Sequence, residues 1–400
     1  MAEWWLAAPV LLLIVLTLPG TVELALVTFG AFLPARQLAD ADVSGARDVR
    51  LAIIVPAHNE EAGLPATLKS LLACHDPPAS ADIVVVADNC TDSTAAIARS
   101  HGVTVLERHD TGRRGKGYAL DHAFRHLADQ ERHGAGYTAY AVVDADTLVD
   151  PGFCQALTRA FAIGADACQC VYRVGNADAN QRTRLQNIAF LAFNLLRPAG
   201  RERLGLSAGI LGTGFALRAD VVRAVPYDSF SIVEDLEYHL RLVRAGYRVR
   251  FLRETAVWSD MPVSGAASRS QRARWEGGRL RLIREHAPAL AAEVMTRGRL
   301  SLLEPLLELL LLPLSYHVLL LAILTGLAAL SGSLASVYAI TALALVALHV
   351  ALAMVMGGAG ARDWQALMTA PFLLAWKLAN FPAIIRAATG GAEWKRTSRS

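Results

Sequence analysis

The chain has 400 residues, 54% hydrophobic and 19% charged, with a formal net charge of +3. The charged share is low against the ~25% of an ordinary soluble domain, and the shortage is local: residues 4 to 33 hold one charge, Glu23, and residues 305 to 361 hold one, Glu308. A purely soluble protein and a wholly intramembrane one are both excluded, and the mild basic balance does not point to nucleic acid. Five cysteines, odd in number and without zinc spacing, read as reduced cytosolic thiols, and Cys168-x-Cys170 as the alternation of a strand.

Residues 4 to 33 exceed the ~20 apolar residues that span a bilayer, with Trp4 and Trp5 as an interfacial belt and Pro19-Gly20 as a kink. A cleaved signal peptide wants Lys or Arg ahead of the apolar run, where only Glu3 stands. An uncleaved anchor over 1–36 is therefore expected. Between 50 and 290 short β-rich runs alternate with helical stretches. The near-continuous apolar runs 51–57, 82–88, 103–107 and 140–146 read as strands covered on both faces. Helical spacing lies between them at Leu64 to Leu72, Ser93 to Ser100 and Tyr118 to Leu127. Strand then helix, repeated, predicts a doubly wound, mostly parallel α/β sheet, with ligands beyond the carboxyl ends of the strands.

Acidic residues stand at those ends: Glu60 after the first strand, Asp88 and Asp92 after the second, Asp144 and Asp146 after the fourth, and Glu234-Asp235 at the start of a later helix. Singly, each reads as a helix N-cap, as Asp92 or Ser93 does. Four sites on one sheet edge read instead as a cation site, since crowded carboxylates repel unless a cation joins them. Hard oxygen ligands shared with substrate phosphates describe Mg2+ or Mn2+. Residues 112–117, GRRGKG, lack both phosphate-loop spacings; they form either a tight turn or a diphosphate lining with Lys116. The Arg-rich stretch from Gln271 to Arg284 is either a membrane-surface helix or a site in which Arg274 meets phosphate oxygens and Trp275 floors a sugar ring.

Two further spans are expected at 306–330 and 334–356, within a 291–362 segment. Arg36, Arg47 and Arg50 after the first span and Arg297 and Arg299 before the second place the intervening domain in the cytoplasm of an inner or plasma membrane. The apolar run 366–387 contains Lys377 and is expected as an interfacial or re-entrant helix, so that 363–400 ends in a basic cytoplasmic tail.

The stretches IIVPAHNEE, VVVADNCTDST, RGKGYAL, VVDADTLVDP, GTGFALR, IVEDLEYHLRLVRAGY and QRARW, in this order over about 51 to 284, resemble the family 2 glycosyltransferases of GT-A fold. The likeness is to the membrane-integrated branch with the cellulose, chitin, hyaluronan and poly-N-acetylglucosamine synthases. The resemblance implies that Asp88 and Glu60 hold the nucleoside of a nucleotide-sugar donor, that Asp144 and Asp146 bind the divalent cation and donor diphosphate beside Lys116, and that Asp235 is the general base. It further implies that Gly212, Thr213, Gly214, Glu234, Gln271, Arg274, Trp275 and, in the tail, Trp394 and Arg396 serve the acceptor and diphosphate. Ala87 stands where the family carries the first of two aspartates, and Asn89-Cys90 replaces Gly-Ser.

The expected activity is inverting transfer from a UDP-hexose or UDP-N-acetylhexosamine to a lipid-linked or growing glycan acceptor, forming a β-linkage at the membrane. Two alternatives stand beside it. One is a processive synthase, which needs a second protomer or an export partner to complete a pore. The other is an inactive scaffold or sensor subunit of a secretion assembly.

Overall fold

The structure is a computed structural model and describes residues 4–34, 49–74, 80–131, 136–299 and 302–370. In chain order the first elements are α1 (Trp4–Gly30), β1 (Arg50–Ala57), α2 (Leu64–Ala73), β2 (Ser80–Asp88), α3 (Thr94–Ser100), β3 (Thr104–Arg108), α4 (Lys116–Glu131), β4 (Ala139–Val142), β5 (Thr147–Val149), α5 (Phe153–Ala162) and β6 (Ala167–Val174). There follow α6 (Gln181–Phe190), a π-helical segment (Leu191–Leu196), α7 (Arg197–Leu204), β7 (Phe215–Arg218), α8 (Ala219–Ala224), α9 (Glu234–Arg244), β8 (Val249–Ser259), α10 (Gly265–Arg297), α11 (Leu303–Leu310), α12 (Leu314–Leu330), α13 (Ala335–Gly357) and α14 (Ala361–Leu367). Among the described residues, 49–179 and 205–267 form one compact unit, and 4–34, 180–204 and 268–370 form another.

The first unit is built on an eight-stranded sheet of order β3-β2-β1-β4-β7-β6-β8-β5. Leu51 to Val55 of β1 are fully buried because successive side chains enter opposite layers. Leu51, Ile53 and Val55 pack with Leu64 and Leu68 of α2 and Phe153 and Leu157 of α5. Ala52 and Ile54 pack with Leu120 and Phe124 of α4 and Tyr238 and Leu242 of α9. Strands β1 to β4 pair in parallel, as the alternation predicts. Beyond them the sheet is mixed: β7 runs antiparallel to both β4 and β6, β8 is parallel to β6, and β5 is antiparallel to β8. Cys168 and Cys170 are both fully buried and, being two apart, share one core layer.

The strand expected over 140–146 pairs only through Val142. The Val143 amide still reaches Ile54 O at 3.1 Å, and the chain then turns, Thr147 N bonding Asp144 O at 3.0 Å. Asp144 and Asp146 therefore sit in a turn off the sheet edge.

The second unit is helical. Two helices, Leu6–Gly30 within α1 and Ala335–Gly357, are long and apolar enough to cross a membrane, with 25 and 23 residues. Their outward side chains are apolar, Leu11, Val15 and Phe29 being about 60% exposed. Helix α1 continues through Pro9 and Pro19, so Pro19-Gly20 does not end it. The run expected as a span at 306–330 is bent: α11 and α12 meet at 75°, the geometry of a broken span or a re-entrant loop. Pro313 has no N–H to donate and disfavours helical geometry in the residue before it, and Leu311 is already extended, at φ −61° and ψ 124°.

Polar groups tie these helices together, as is usual where lipid supplies no hydrophobic drive. Tyr338 Oη lies 3.0 Å from Thr17 Oγ1 and 3.1 Å from Thr21 Oγ1. His349 bridges Thr28 Oγ1, at 2.7 Å, to the π-segment carbonyl of Ala192, at 3.2 Å. Helix α7 lies so close to α1 that a Cβ on Gly200 would meet Val27 O at 2.0 Å. There Arg197 and Arg201 reach Glu23 at 2.9 and 2.8 Å, Arg201 reaches Glu304 at 2.8 Å, and both arginines approach Glu308 at 3.4 and 3.5 Å. The side chains of both arginines, Glu23 and Glu308 are more than nine-tenths buried.

Candidate active site

The tips of β1 and β2 are shaped by two asparagines in the left-handed region, Asn59 at φ 55° and Asn89 at φ 51°. Asparagine tolerates that region better than other side chains do, because its short amide bonds locally. Asn59 Oδ1 accepts the Thr91 amide at 2.7 Å, and Asn89 Oδ1 accepts the Asp110 amide at 2.8 Å. The substitution of Asn89 for glycine thus keeps the backbone shape. Asp88 is buried and paired with Arg108 at 2.6 Å. Its Oδ1 also accepts from Asn89 Nδ2 at 3.0 Å, and its carbonyl accepts from His58 Nδ1 at 2.7 Å. The Glu60 amide donates to Thr94 Oγ1 at 2.8 Å, and Asp92 accepts the Thr94 amide at 3.0 Å at the start of α3.

The turn after β4 is held from two sides. Thr67 Oγ1 of α2 donates to Ala145 O at 2.9 Å, and a Cβ on Gly63 would stand 3.2 Å from Asp146 Cβ, so the turn carrying Glu60 abuts the aspartates. On the other side the Asp144 amide donates to Thr213 Oγ1 at 3.0 Å. Lys116, the first residue of α4, places its ammonium 2.5 Å from Asp144 Oδ1 and 2.6 Å from Gly212 O. Gly212 has φ 86°, and a Cβ there would lie 3.3 Å from Asp235 Oδ2. Any side chain at 212 would therefore be strained and would crowd that carboxylate.

Electrostatically this is a half-buried group of three carboxylates, Asp144, Glu234 and Asp235, and one ammonium. Burial alone favours neutral Lys116, but Asp144, Glu234 and Asp235 outweigh it and hold the ammonium above the ordinary lysine value. Burial and the neighbouring Asp235 charge push Glu234 up to about 8, and burial raises Asp235 as well. Asp144 and Asp146 offer hard carboxylate oxygens from one turn, and the cation now against Asp144 is the Lys116 ammonium. Among the described residues no three His, Cys, Asp or Glu side chains are placed to hold a metal ion by themselves. The donor set therefore fits Mg2+ or Mn2+ only with water and phosphate oxygens completing the shell, the usual condition of such ions.

Lys116, Asp144, Gly212, Thr213, Glu234 and Asp235 thus gather in one place, with Gly214 next in the loop and Glu60 on the turn beside Asp146. Gln271, buried, and Arg274 and Trp275 lie on α10, in the part of that helix belonging to the helical unit. Trp394, Arg396 and the run from 371 to 387 lie outside the described residues. Two residues were not legible beforehand: Arg108, which neutralises Asp88, and Gln169 in the middle of β6. Arg108 had a usable signal, since it too ends a strand; Gln169 had only its polarity within an apolar run.

A family model described as glycosyltransferase like family 2 matches residues 49–278. The Bacillus subtilis protein described as probable glycosyltransferase YdaM is 28% identical over 238 residues, 57% of this chain and 55% of its own length. A stretch of 73 residues is 41% identical to the 4,4'-diaponeurosporenoate glycosyltransferase of Staphylococcus aureus, 18% of each chain. The chain therefore spans about half the length, or less, of these curated relatives. Among solved structures, the mannosyltransferase PcManGT of Pyrobaculum calidifontis, in complex with GDP-Man and Mn2+, aligns over 97% of this chain and 100% of its own. Its TM-score is 0.59 at 19% identity, a likeness of fold.

Proposed function

This chain belongs to glycosyltransferase family 2, and we propose that it moves a hexose or N-acetylhexosamine from a UDP-linked donor to a lipid-linked or growing glycan acceptor, with inversion to a β-linked product. The observation that carries this reading is the half-buried Glu234-Asp235 pair beside Lys116 and Asp144. A carboxylate whose affinity for protons is raised is the better suited to accept one. Asp235 takes the proton of the acceptor hydroxyl as that oxygen attacks the anomeric carbon. The bond from the anomeric carbon to the donor diphosphate breaks, and its electron pair leaves with the nucleotide. One base and no second nucleophilic carboxylate make this a single displacement.

Glu60 and Asp88 hold the nucleoside in this reading, Asp88 oriented by its ion pair with Arg108. Asp144 and Asp146 would hold a divalent cation, which when bound offsets charge on the departing diphosphate. Lys116 adds a second positive charge to the same oxygens, and Gly212, Thr213 and Gly214 border the acceptor. For Gln271, Arg274, Trp275, Trp394 and Arg396 a role toward the diphosphate and acceptor is what the family resemblance implies. The Mn2+ in the PcManGT complex supports a divalent cation.

Among the described residues, two helices able to cross a membrane, or three if α11 and α12 make one broken span, support a membrane-embedded acceptor over an exported polymer, since a polymer tunnel must screen its polar wall from lipid. The arginines that flank the apolar blocks support a cytoplasmic catalytic domain. The test is donor hydrolysis and transfer over a panel of UDP- and GDP-sugars, with product length read by mass spectrometry. One or a few added sugars on a lipid is expected; a long polymer would favour a processive synthase, and no turnover with any donor would refute the enzyme reading.

A further inference from the structure

We propose that Gln169 is the positioning residue that sets the 211–214 loop, and with it the spacing between Asp235 and the Asp144 turn. The inference rests on the reading of this site as glycosyl transfer and adds to it a residue that touches neither substrate.

Gln169 lies in the middle of β6 and is fully buried. The β6–β7 ladder ends where Gln169 faces Phe215. Gly214 still bonds along the sheet, its carbonyl accepting from Cys170 N at 2.8 Å and its amide donating to Val142 O at 2.9 Å. From there toward Leu211 the chain leaves the ladder, and its polar backbone groups need other partners. One side chain supplies them. Gln169 Oε1 accepts the Leu211 amide at 2.9 Å, while Nε2 lies 2.9 Å from Thr213 O and 3.2 Å from Gly214 O, and 2.9 Å from Cys170 O. An amide nitrogen has two hydrogens, so three carbonyls around it share them, as in bifurcated bonds. A glutamine is the residue that offers a donor and an acceptor at this reach; a carboxylate would face three carbonyl oxygens.

The loop held this way has three catalytic neighbours. Thr213 Oγ1 receives the Asp144 amide, Gly212 O receives the Lys116 ammonium, and the Gly212 backbone stands against Asp235 Oδ2. Loosening it would change the distance from base to cation turn without removing any reacting group. A misplacement of about 1 Å can cost on the order of 100-fold in rate.

The experiment uses the full-length protein, donor and acceptor kinetics, and nucleotide-sugar binding by calorimetry. Gln169→Met keeps the length of the side chain and removes its hydrogen bonds. The expected result is a fall in kcat for transfer of about 100-fold, unchanged donor affinity and faster amide exchange over 211–214. Cys168→Ala, one residue earlier and equally buried, is the comparison: it lowers Tm by removing core volume and leaves kcat near wild type. If Gln169→Met does not fold, Gln169→Glu, of the same shape, is read by the same split. A wild-type kcat, a loss of donor affinity in step with kcat, or an equal loss in Cys168→Ala overturns the positioning role while leaving the transferase reading intact. A wild-type protein that binds no nucleotide sugar overturns the transferase reading itself, and the role of Gln169 with it.

Discussion

Glu234→Gln tests the charge balance at the start of α9. In the donor-free protein, burial and Asp235 push Glu234 from 4.5 up to about 8. Between those values the folded protein keeps a proton that the unfolded chain has released. The folded state therefore binds more protons, and stability must fall as pH rises. Whatever Glu234 contributes is fully present below the unfolded value and lost as pH climbs through the folded one. Each tenfold gain in proton affinity on folding is worth about 1.4 kcal/mol, and titration shared with Asp235 spreads the change over both groups. The assay is unfolding against pH from 5 to 9, in chelator and without nucleotide sugar. Wild type should lose stability across this range, and Glu234→Gln should show a shallower slope and be the more stable protein at pH 8. Superimposable slopes, or a variant less stable at pH 8, would refute the assignment of a half-buried, proton-holding pair.

Asp235→Asn should lower transfer by about 10²–10⁴ while calorimetry still detects nucleotide-sugar binding; near-normal turnover would remove Asp235 as the base. Excess chelator should stop transfer and added Mg2+ or Mn2+ restore it, whereas full activity in chelator would take Asp144 and Asp146 out of a cation role. Arg201→Met removes one of the two guanidiniums that face Glu23 and Glu308 in a buried cluster, a loss of up to about 3–5 kcal/mol. It should appear as a sharp fall in folded protein recovered in detergent, and a normal yield would show the ion cluster to be dispensable.

Strands β1 and β2 were legible because each is an apolar run buried between two layers, and β3 because Val105 and Leu106 stand in a short apolar run. The far half of the sheet was not. Strand β7 has four residues and β5 has three, too few for a periodicity, and the β6–β8 ladder is interrupted by a register shift at Cys170/Val171 that sets 253–255 outside it. Those directions depend on partners far away in sequence. Asp88 was legible as a site residue, but its pairing with Arg108 needed the β2–β3 register, which puts the two side by side. In the apolar blocks composition set the lengths of the helices, while the 75° turn at Leu311–Pro313 was lost within an unbroken run of leucines. Helix α7, RPAGRERL, reads as a solvated surface; only the positions of Glu23, Glu304 and Glu308 reveal why two of its arginines are buried.

The buried ion cluster also imposes an order on synthesis. Glu23 leaves the ribosome early, whereas the guanidiniums that neutralise it follow 174 and 178 residues later, roughly 9–35 s at ordinary elongation rates. During that time the first apolar helix carries an uncompensated carboxylate seven residues from its C-terminal end, about 10 Å along the axis. Such a group is held toward the water boundary by its hydration. On the proposal that α1 crosses a membrane, it reaches its final seat only when α7 arrives, and that last step of insertion is a folding step of residues far along the chain.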